Sequence, residues 1–389
     1  MDSVIQNAFE RNFESPEEEK NNESSYNLPR GAEKIDREAV EEEFDIDINQ
    51  AQIKVVGVGG AGNNTITTLT DMGIDGAETL ALNTDASHLG ASRADKRMLI
   101  GRETTRGLGA GGKPEVGRKS AEESQREIRE ELKNADMVFI TCGLGGGTGT
   151  GASSVVAEMA KNEGAIVLAA VTMPFKMEGT RIVKAEEGLK NLREVTDTVI
   201  AIENQRLLKY AGDLPVKQAF AVADELISTM IKGISETITQ PSLVNLDYAD
   251  VKTIMKDGGV ASIGIGEADS SSRAEEATQK AMNHPLLDMD YEGADGAIIQ
   301  VIGGEDLKLD EINKIGESIS KQLDPQAQVI WGARVVPEYD GSMQVIAIIT
   351  GVKSPYIMGP KSKKNDTSKN PEKQNQGVSD ELGIRMLSK

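Results

Sequence analysis

The chain has few of the residues that carry much of enzyme chemistry: its 389 residues include one cysteine and two histidines. The single cysteine, Cys142, excludes an intramolecular disulfide and is typical of a reducing compartment. With only His88 and His284 available, a histidine metal site or a histidine-based triad is not expected. No apolar stretch reaches the roughly 20 residues of a membrane span, and no secretory leader is evident. We therefore expect a cytoplasmic protein that does not itself span a membrane.

A surplus of positive charge is also missing, because the net charge is −20. Nucleic acid phosphates attract basic proteins, so nucleic acid is not an expected partner. Residues 1–50 contain 15 acidic and 5 basic residues, which account for half of the net charge. This composition predicts an acidic, disordered N-terminal extension, and the polar composition of residues 354–389 predicts a disordered tail.

Between these ends, apolar strand patterns alternate with helical patterns as far as about residue 203. The strands are apolar on both faces, which predicts a mainly parallel sheet covered by helices, a Rossmann-like α/β domain over residues 51–214. In such a domain the ligand binds at the loops that follow the strands. The predicted strands are 53–58, 79–83, 137–142, 165–172 and 198–202.

A long apolar helical pattern at residues 216–238 predicts a central helix within residues 215–240. Residues 241–353 then predict a second, smaller mixed α/β domain. Its last two strands are expected to form a hairpin around residues 339–341. The predicted elements of this domain are strands 260–266, 297–302, 328–336 and 342–351 and helices 272–282 and 308–322.

The most informative segment is the third of three glycine loops, residues 143–151, in which six of nine residues are glycine. It lies between an apolar strand pattern and a helix start, so its backbone amides converge at the positive end of a helix. This is an anion cradle, and phosphate is the expected anion. A flexible linker is the alternative, but linkers do not usually connect a buried strand to a helix.

Two other glycine loops precede it. The first, residues 57–62, matches the G-x-G-x-x-G fingerprint, and Asp85 follows roughly where a ribose-binding carboxylate would lie, which alone would predict an NAD(P)-dependent dehydrogenase. The second, residues 107–114, resembles a P-loop, but Pro114 replaces the hydroxyl residue that binds magnesium. Three cradles favour a nucleoside triphosphate, with three unrelated glycine turns as the alternative. The predicted phosphate-side residues are Gly59, Gly60, Ala61, Gly62, Asn63, Ala110, Gly111, Gly112, Gly145, Gly146, Gly147, Thr148, Gly149 and Thr150.

The third glycine loop also carries the signature of the tubulin/FtsZ family, and the resemblance extends from about residue 53 to 352. Four further segments resemble loops of the family. Residues 83–86 resemble its second nucleotide loop, and residues 171–179 its ribose-side loop. Residues 204–208 resemble its base-side loop, and residues 245–250 its catalytic loop. The combination of Asp224 and an acidic N-terminal extension resembles archaeal members of the family more than bacterial ones. The resemblance implies a GTPase that forms head-to-tail filaments and the division ring at midcell. It adds Asn83, Asp85, Pro174, Glu178, Arg181 and Asn204 to the GTP-binding candidates.

The sequence departs from the family pattern at two positions. The family usually has an arginine four residues after the glutamate that matches Glu178, whereas Arg181 comes three residues after it. Whether Arg181 contacts the nucleotide is therefore left open. Gln205 stands where the family usually has an acidic residue, which would weaken an auxiliary contact.

Guanine selectivity is predicted from the central helix. Phe220 and Asp224 are four residues apart and share a helix face, so the ring can stack on a purine while the carboxylate accepts from guanine N1–H and the exocyclic amine. Adenine lacks both donors on that edge and would leave the carboxylate unpaired. Asn204 can contact the opposite edge. The alternative is a core phenylalanine beside a solvated aspartate.

Catalysis is assigned to the aspartate loop, residues 245–250, with Asn245, Asp247 and Asp250 as candidates. Two carboxylates three residues apart can orient a water for attack on phosphorus, or they can cap the next helix. The resemblance implies that this loop meets the nucleotide of the neighbouring subunit. Magnesium is expected on the phosphates, largely through waters, and no protein ligand is assigned.

The two ends remain open to more than one interpretation. Val4–Phe13 has apolar residues at helical spacing and forms either a docking helix or part of a disordered arm. Residues 380–387 form an apolar island similar in position to the family peptide that recruits membrane-tethering adaptors; the alternative is an end without a partner. For the whole chain, a dehydrogenase and a weakly hydrolysing scaffold of the same fold are the competing functions.

Overall fold

The computed structural model describes residues 51–240, 242–244, 246–256, 258–283, 291 and 293–352. The predicted acidic extension, the tail with its apolar island and the catalytic candidate Asn245 lie outside the described residues.

The first part of the chain is a six-stranded sheet with helices on both faces. All of its strands are parallel, in the order β3-β2-β1-β4-β5-β6. They are β1 (Ile53–Val58), β2 (Ala77–Asn83), β3 (Lys96–Leu99), β4 (Met137–Gly143), β5 (Ile166–Met173) and β6 (Thr198–Glu203). The helices are α1 (Gly59–Asp71), α2 (Ala86–Ala91), α3 (Arg102–Thr105), α4 (Pro114–Glu123), α5 (Gln125–Leu132), α6 (Thr148–Asn162), α7 (Thr180–Val195) and α8 (Asn204–Tyr210). The five predicted strands are confirmed within about two residues; β3, an edge strand with a charged and exposed first half, was not predicted.

Two further helices link this sheet to the rest of the chain. They are α9 (Val216–Thr239), which confirms the predicted central helix, and α10 (Tyr248–Met255). The apolar stripe of α9 packs on one face of the sheet, where Leu226, Met230 and Phe139 belong to one buried cluster. The neighbouring residue on β4, Ile140, belongs to the cluster on the opposite face. The alternation confirms a sheet that is buried on both faces.

The remaining elements complete a mixed α/β unit: β7 (Gly259–Ala268), α11 (Arg273–Met282), β8 (Gly296–Gly303), α12 (Leu309–Ser320), β9 (Gln328–Val335) and β10 (Met343–Thr350). The predicted hairpin is wrong. β10 runs antiparallel between β7 and β8, and β9 pairs with β8 in parallel at the sheet edge. A local turn does form where Ser342 N donates to the Tyr339 carbonyl. However, β10 is buried along almost its whole length and takes a central position, whereas β9 is half exposed and takes the edge.

The two sheets are continuous. β6 pairs with β7 in parallel at two positions, Thr198 with Gly259 and Val199 with Val260, which gives one ten-stranded sheet. The Thr198 hydroxyl also donates to the Met255 carbonyl at the end of α10 at 2.7 Å. The second unit is therefore fixed to the first sheet by backbone pairing, and the helix that begins after Asp247 by this side-chain hydrogen bond.

Candidate nucleotide site

The three glycine loops converge at the carboxyl edge of the parallel sheet. The first begins in β1 and continues into α1, and the third joins β4 to α6. Between them, Gly109 N donates to the Thr84 carbonyl at 3.0 Å, and the hydroxyl oxygens of Thr84 and Thr148 are 2.6 Å apart. Loops that are distant in sequence therefore share one edge of the fold.

These loops lie closer together than side chains would permit. A Cβ atom on Gly59 would stand 2.8 Å from the Gly149 nitrogen, and one on Gly147 would stand 2.7 Å from the Ala110 Cβ. Gly59 also has a φ of +75°, which other residues rarely adopt. By contrast, a Cβ atom would meet nothing within 4 Å at Gly111, Gly112 and Gly146. The loops are therefore tightly packed against each other at some glycines and open at others, as a ligand cradle requires.

Two helices begin at this edge with their positive ends uncovered. Neither α1 nor α6 has an acidic residue in its first turn, and neither N-cap residue makes a side-chain capping hydrogen bond. Their first-turn amides and their dipoles therefore favour an anion. Gly145 N donates to the Thr150 hydroxyl at 2.8 Å, which holds the third glycine loop in shape. The arrangement can bind phosphate through backbone groups.

Two predicted nucleotide residues lie behind the loops. Asn63 and Asn83 are 0% and 3% exposed. In the amide orientation that fits its neighbours, Asn63 donates to the carbonyls of Gly57, Gly59 and Leu82 at 2.9–3.2 Å and accepts from the Asn83 amide at 3.1 Å. The two asparagines thus fasten the ends of β1 and β2 together and shape the cradle.

Three charged candidates are engaged with neighbours. The Asp85 carboxylate caps α2 by accepting from His88 N at 3.0 Å. The Glu178 carboxylate accepts from Phe175 N at 2.9 Å and from the Arg181 guanidinium at 2.7 Å. Arg181, on which the sequence left a nucleotide contact open, is thus paired with Glu178 in the structure.

The predicted guanine-reading pair lines one cleft. Phe220 and Asp224 face the outer side of α1 across a cleft of about 380 Å³. The Phe220 ring is 40% exposed and meets the Phe175 ring edge-on, with centroids 5.8 Å apart. The Thr65 hydroxyl donates to Asp224 Oδ1 at 2.7 Å. Burial raises the pKa of Asp224 to about 7, and the Thr65 hydrogen bond opposes this shift only in part.

The base-side loop contributes a polar atom without a partner. Asn204 opens α8 right after β6, and its amide oxygen is buried with no hydrogen-bond partner among the described residues. Buried acceptors are normally satisfied, so this oxygen is suited to a ligand donor. The next residue, Gln205, accepts from Lys176 N at 3.0 Å and so braces the ribose-side loop two residues after Pro174. The departure from the family pattern at Gln205 has a structural use here.

The aspartate loop lies far from this cleft. Asp247 precedes α10 and Asp250 is in its first turn, and both side chains are exposed. Asp247 occupies the N-cap position but its carboxylate makes no capping hydrogen bond, so the capping interpretation is not supported for this residue. Two exposed carboxylates therefore lie at the start of α10, and that of Asp247 does not cap the helix.

One hydrogen bond fixes where α10 lies. The Tyr248 hydroxyl donates at 2.9 Å to the carbonyl of Asp136, the residue just before β4. The third glycine loop begins at the other end of β4, at Gly143. Seven strand residues at about 3.3 Å each span about 23 Å. The carboxylates and the phosphate cradle therefore lie at opposite ends of one strand.

Within the described ranges, no three or more histidine, cysteine or acidic side chains form a group that could hold a metal ion. In the same part of the chain, no helix is both long and apolar enough to cross a bilayer.

Three residues shape the site although the sequence assigned them no individual role; they lie in the segments 83–86, 171–179 and 245–250 that resemble the family. Thr84 joins two glycine loops, Phe175 flanks the base cleft and Tyr248 anchors α10. The sequence did contain a signal for a role of Phe175 in the site, because aromatic residues make up only 3% of the chain and this one directly follows Pro174. Thr84 and Tyr248 act through contacts 64 and 112 residues away, which no local pattern reveals.

Comparisons with known proteins agree with this geometry. The family model "Tubulin/FtsZ family, GTPase domain" matches residues 52–212, and "FtsZ family, C-terminal domain" matches residues 259–353. The chain is similar to cell division protein FtsZ 2 of Methanocaldococcus jannaschii, with 56% identity over 320 residues, 82% of this chain and 84% of the relative. It is also similar to cell division protein FtsZ 1 of Thermococcus kodakarensis, with 56% identity over 308 residues, 79% of this chain and 82% of the relative. The solved structure of an FtsZ dimer from M. jannaschii superposes with a TM-score of 0.75 at 47% identity, covering 86% of this chain and 99% of the other.

These matches exclude one of the two competing functions. The protein is a GTPase that binds guanine nucleotide, associates with itself into filaments and acts in cell division, so the dehydrogenase interpretation is wrong. The likeness covers both the glycine-loop sheet and the unit that contains β7 to β10. By its sequence, its ten-stranded fold and its backbone-built phosphate cradle, the chain belongs to the tubulin/FtsZ family of GTPases, in its FtsZ branch.

Proposed function

We propose that each GTP is hydrolysed at a site shared by two subunits in a head-to-tail filament. One subunit supplies the glycine loops, and the next supplies Asp247 and Asp250. The observation that carries this proposal is the separation of about 23 Å along β4 between the cradle and α10. Phosphoryl transfer needs its catalytic groups in contact with the reacting atoms, so a chain cannot use its own aspartates on its own nucleotide.

The pocket side binds and orients the nucleotide. The first-turn amides of α1 and α6 hold the phosphates, and the asparagine pair behind them keeps the loops in register. The cradle consists of backbone groups and hydroxyls, so a Mg²⁺ ion would be held there largely by the phosphates and by waters. When bound, it supplies charge neutralisation on the phosphates.

The base end selects guanine. The Asp224 carboxylate accepts from guanine N1–H and the exocyclic amine, Phe220 stacks on the purine, and the unpartnered Asn204 oxygen accepts from a donor of the nucleotide. Burial raises the pKa of Asp224 and the single Thr65 hydroxyl offsets this only in part, so the carboxylate has room for the two donors of guanine. With ATP this half-buried carboxylate would keep only the Thr65 hydroxyl as a donor, and the missing hydrogen bonds would cost about 1–3 kcal/mol.

The aspartates of the neighbouring subunit catalyse hydrolysis by positioning a water. Asp247 and Asp250 of the incoming subunit orient and polarise a water against the terminal phosphate. Asn245, which lies outside the described residues, is the third catalytic candidate of the same loop. Since the carboxylates arrive only with the neighbour, hydrolysis is coupled to assembly.

Mixing two inactive variants tests this arrangement. Asp247→Ala keeps the pocket and loses a carboxylate, whereas Thr148→Arg fills the cradle and keeps the carboxylates. Each variant alone is expected to be inactive, and the mixture is expected to regain part of the wild-type turnover. Asp269→Ala, at an exposed position after β7, is the matched control and should stay active. Mixed filaments that co-sediment without any phosphate release would contradict the proposal, and so would an active Asp247→Ala protein.

We also propose that the chain end directs the filament to the cytoplasmic side of the midcell membrane. Residues 380–387 carry Leu382, Ile384 and Met386 after a polar linker, which suits a short peptide that orders in the groove of a membrane-tethering adaptor. One such peptide binds weakly, but many copies on a filament add avidity. Deletion of residues 380–389 should leave GTP turnover unchanged and delocalise the protein in cells. Normal midcell rings from the truncated protein would show that the tail has no such partner.

A further inference from the structure

One face of α7 lies against the third glycine loop. A Cβ atom on Gly145 would stand 2.9 Å from the Arg181 carbonyl oxygen, and one on Gly188 would stand 2.5 Å from the Thr150 side chain. Residues 181, 184 and 188 recur at helical spacing, so Lys184 lies on the same face, between these two contacts. Its stem therefore runs along the wall of the phosphate cradle.

The amine at the end of this side chain reaches the second glycine loop. Lys184 Nζ donates to the Gly112 carbonyl at 2.7 Å, and the residue is half-buried. Within the described part of the chain this is the contact that holds the amine. An ammonium group has three donors, so two are left for another acceptor. Lys184 thus spans two of the three glycine loops and ends beside glycines whose other side is open, Gly112 among them.

Apart from Lys113, an exposed residue of the second glycine loop, the cradle has few other sources of positive charge. The first turns of α1 and α6 contain glycine, alanine, threonine and asparagine but no basic residue. Arg181, one turn before Lys184, gives its guanidinium to Glu178 and is 58% exposed at its side chain. A polyphosphate held by neutral amides alone would keep most of its charge uncompensated, apart from any bound cation.

We propose that Lys184 binds the phosphate chain of GTP, with the Gly112 carbonyl holding its ammonium group in place. A charged donor at this position forms a stronger hydrogen bond with phosphate than a neutral one. It also favours the nucleotide with more phosphate charge, so Lys184 raises selectivity for GTP over GDP. The shorter segment after Glu178 moves the arginine, and a lysine one turn further along the helix supplies the cation.

Three variants separate this role from a purely structural brace. Lys184→Gln removes the charge but keeps an N–H donor for the Gly112 carbonyl, Lys184→Met removes both, and Lys190→Gln alters an exposed lysine elsewhere on α7. GTP and GDP affinities are measured by titration at several salt concentrations, with the melting temperature of the nucleotide-free protein as the folding control. Lys184→Gln and Lys184→Met are both expected to weaken GTP binding about tenfold or more, since hydrogen bonds to charged groups are the strong ones. GDP binding should fall less, the salt dependence of GTP binding should become shallower, and Lys190→Gln should bind like the wild type.

The opposite pattern would overturn the proposal. If Lys184 only braces the second glycine loop, Lys184→Gln will bind GTP like the wild type, and Lys184→Met will lose affinity for GTP and GDP equally with an unchanged salt dependence. Because the readout is nucleotide binding, the result does not depend on whether the neighbouring aspartates catalyse hydrolysis.

Discussion

Protonation of Asp224 should control the affinity for guanine nucleotides near neutral pH. In the nucleotide-free protein, burial raises the pKa of this carboxyl to about 7. Guanine offers two N–H donors to the carboxylate, so binding should lower the pKa well below 7. Nucleotide binding then requires proton release below about pH 7, and affinity should fall as the pH falls. At pH 5.5 about 3% of the free protein would carry the carboxylate, so affinity should be about 30-fold lower than at pH 8.5.

The assay is a titration of GDP binding from pH 5.5 to 8.5, with Asp224→Asn as the reference. The terminal phosphate of the nucleotide titrates with a pKa near 6, so part of any pH dependence belongs to the ligand. Asparagine cannot titrate, and its variant isolates that part. The difference between the two slopes measures Asp224 alone. Equal slopes in the two proteins would refute the argument that this carboxyl is desolvated and reads the base.

Three more outcomes are expected. Gly62→Ala should destabilise the protein by about 1–3 kcal/mol in thermal unfolding, because the new Cβ would stand 2.2 Å from the Thr141 carbonyl, whereas Gly90→Ala has open space and should not. Tyr248→Phe should leave GTP affinity unchanged and lower kcat about threefold to tenfold, since one neutral hydrogen bond positions α10; an unchanged kcat counts against that role. Without nucleotide, the folded protein keeps a proton on Asp224 between about pH 4 and 7 that the unfolded chain has lost, so the free energy of unfolding should fall as pH rises through this window, and Asp224→Asn should flatten the fall.

Much of the fold follows from local sequence patterns. Strands that are buried on both faces are continuous apolar runs, so β1, β4 and β5 were predicted within about a residue at each end. The order of the last strands did not follow. A turn at residues 339–341 is compatible with a hairpin or with a crossover, and the choice depends on which strand has two buried faces in the assembled sheet.

The candidate site was also predictable in part. Glycine loops after strands indicate where a phosphate fits, because positive φ values and close backbone approach need glycine. Which polar residues face the ligand is decided by contacts across the fold. Asn63 and Asn83 have the chemistry of ligand-binding residues, but Asn63 donates to neighbouring backbone carbonyls, and Asn83 donates to Asn63 and accepts from Asp85 N. Tyr248 gave no local signal, because its acceptor is 112 residues away.

The separation of cradle and carboxylates along β4 gives the two ends of a filament different chemical fates. In the proposed arrangement, a filament of n subunits contains n−1 complete sites, because one terminal pocket meets no aspartates and one terminal pair of aspartates meets no nucleotide. A free subunit contains none. The uncovered pocket therefore keeps its GTP until another subunit arrives. Each added subunit makes hydrolysis possible for the nucleotide that it covers. The filament is polar, and its nucleotides differ in age along its length, because the seven residues of β4 place the pocket and the aspartates at opposite ends of the strand.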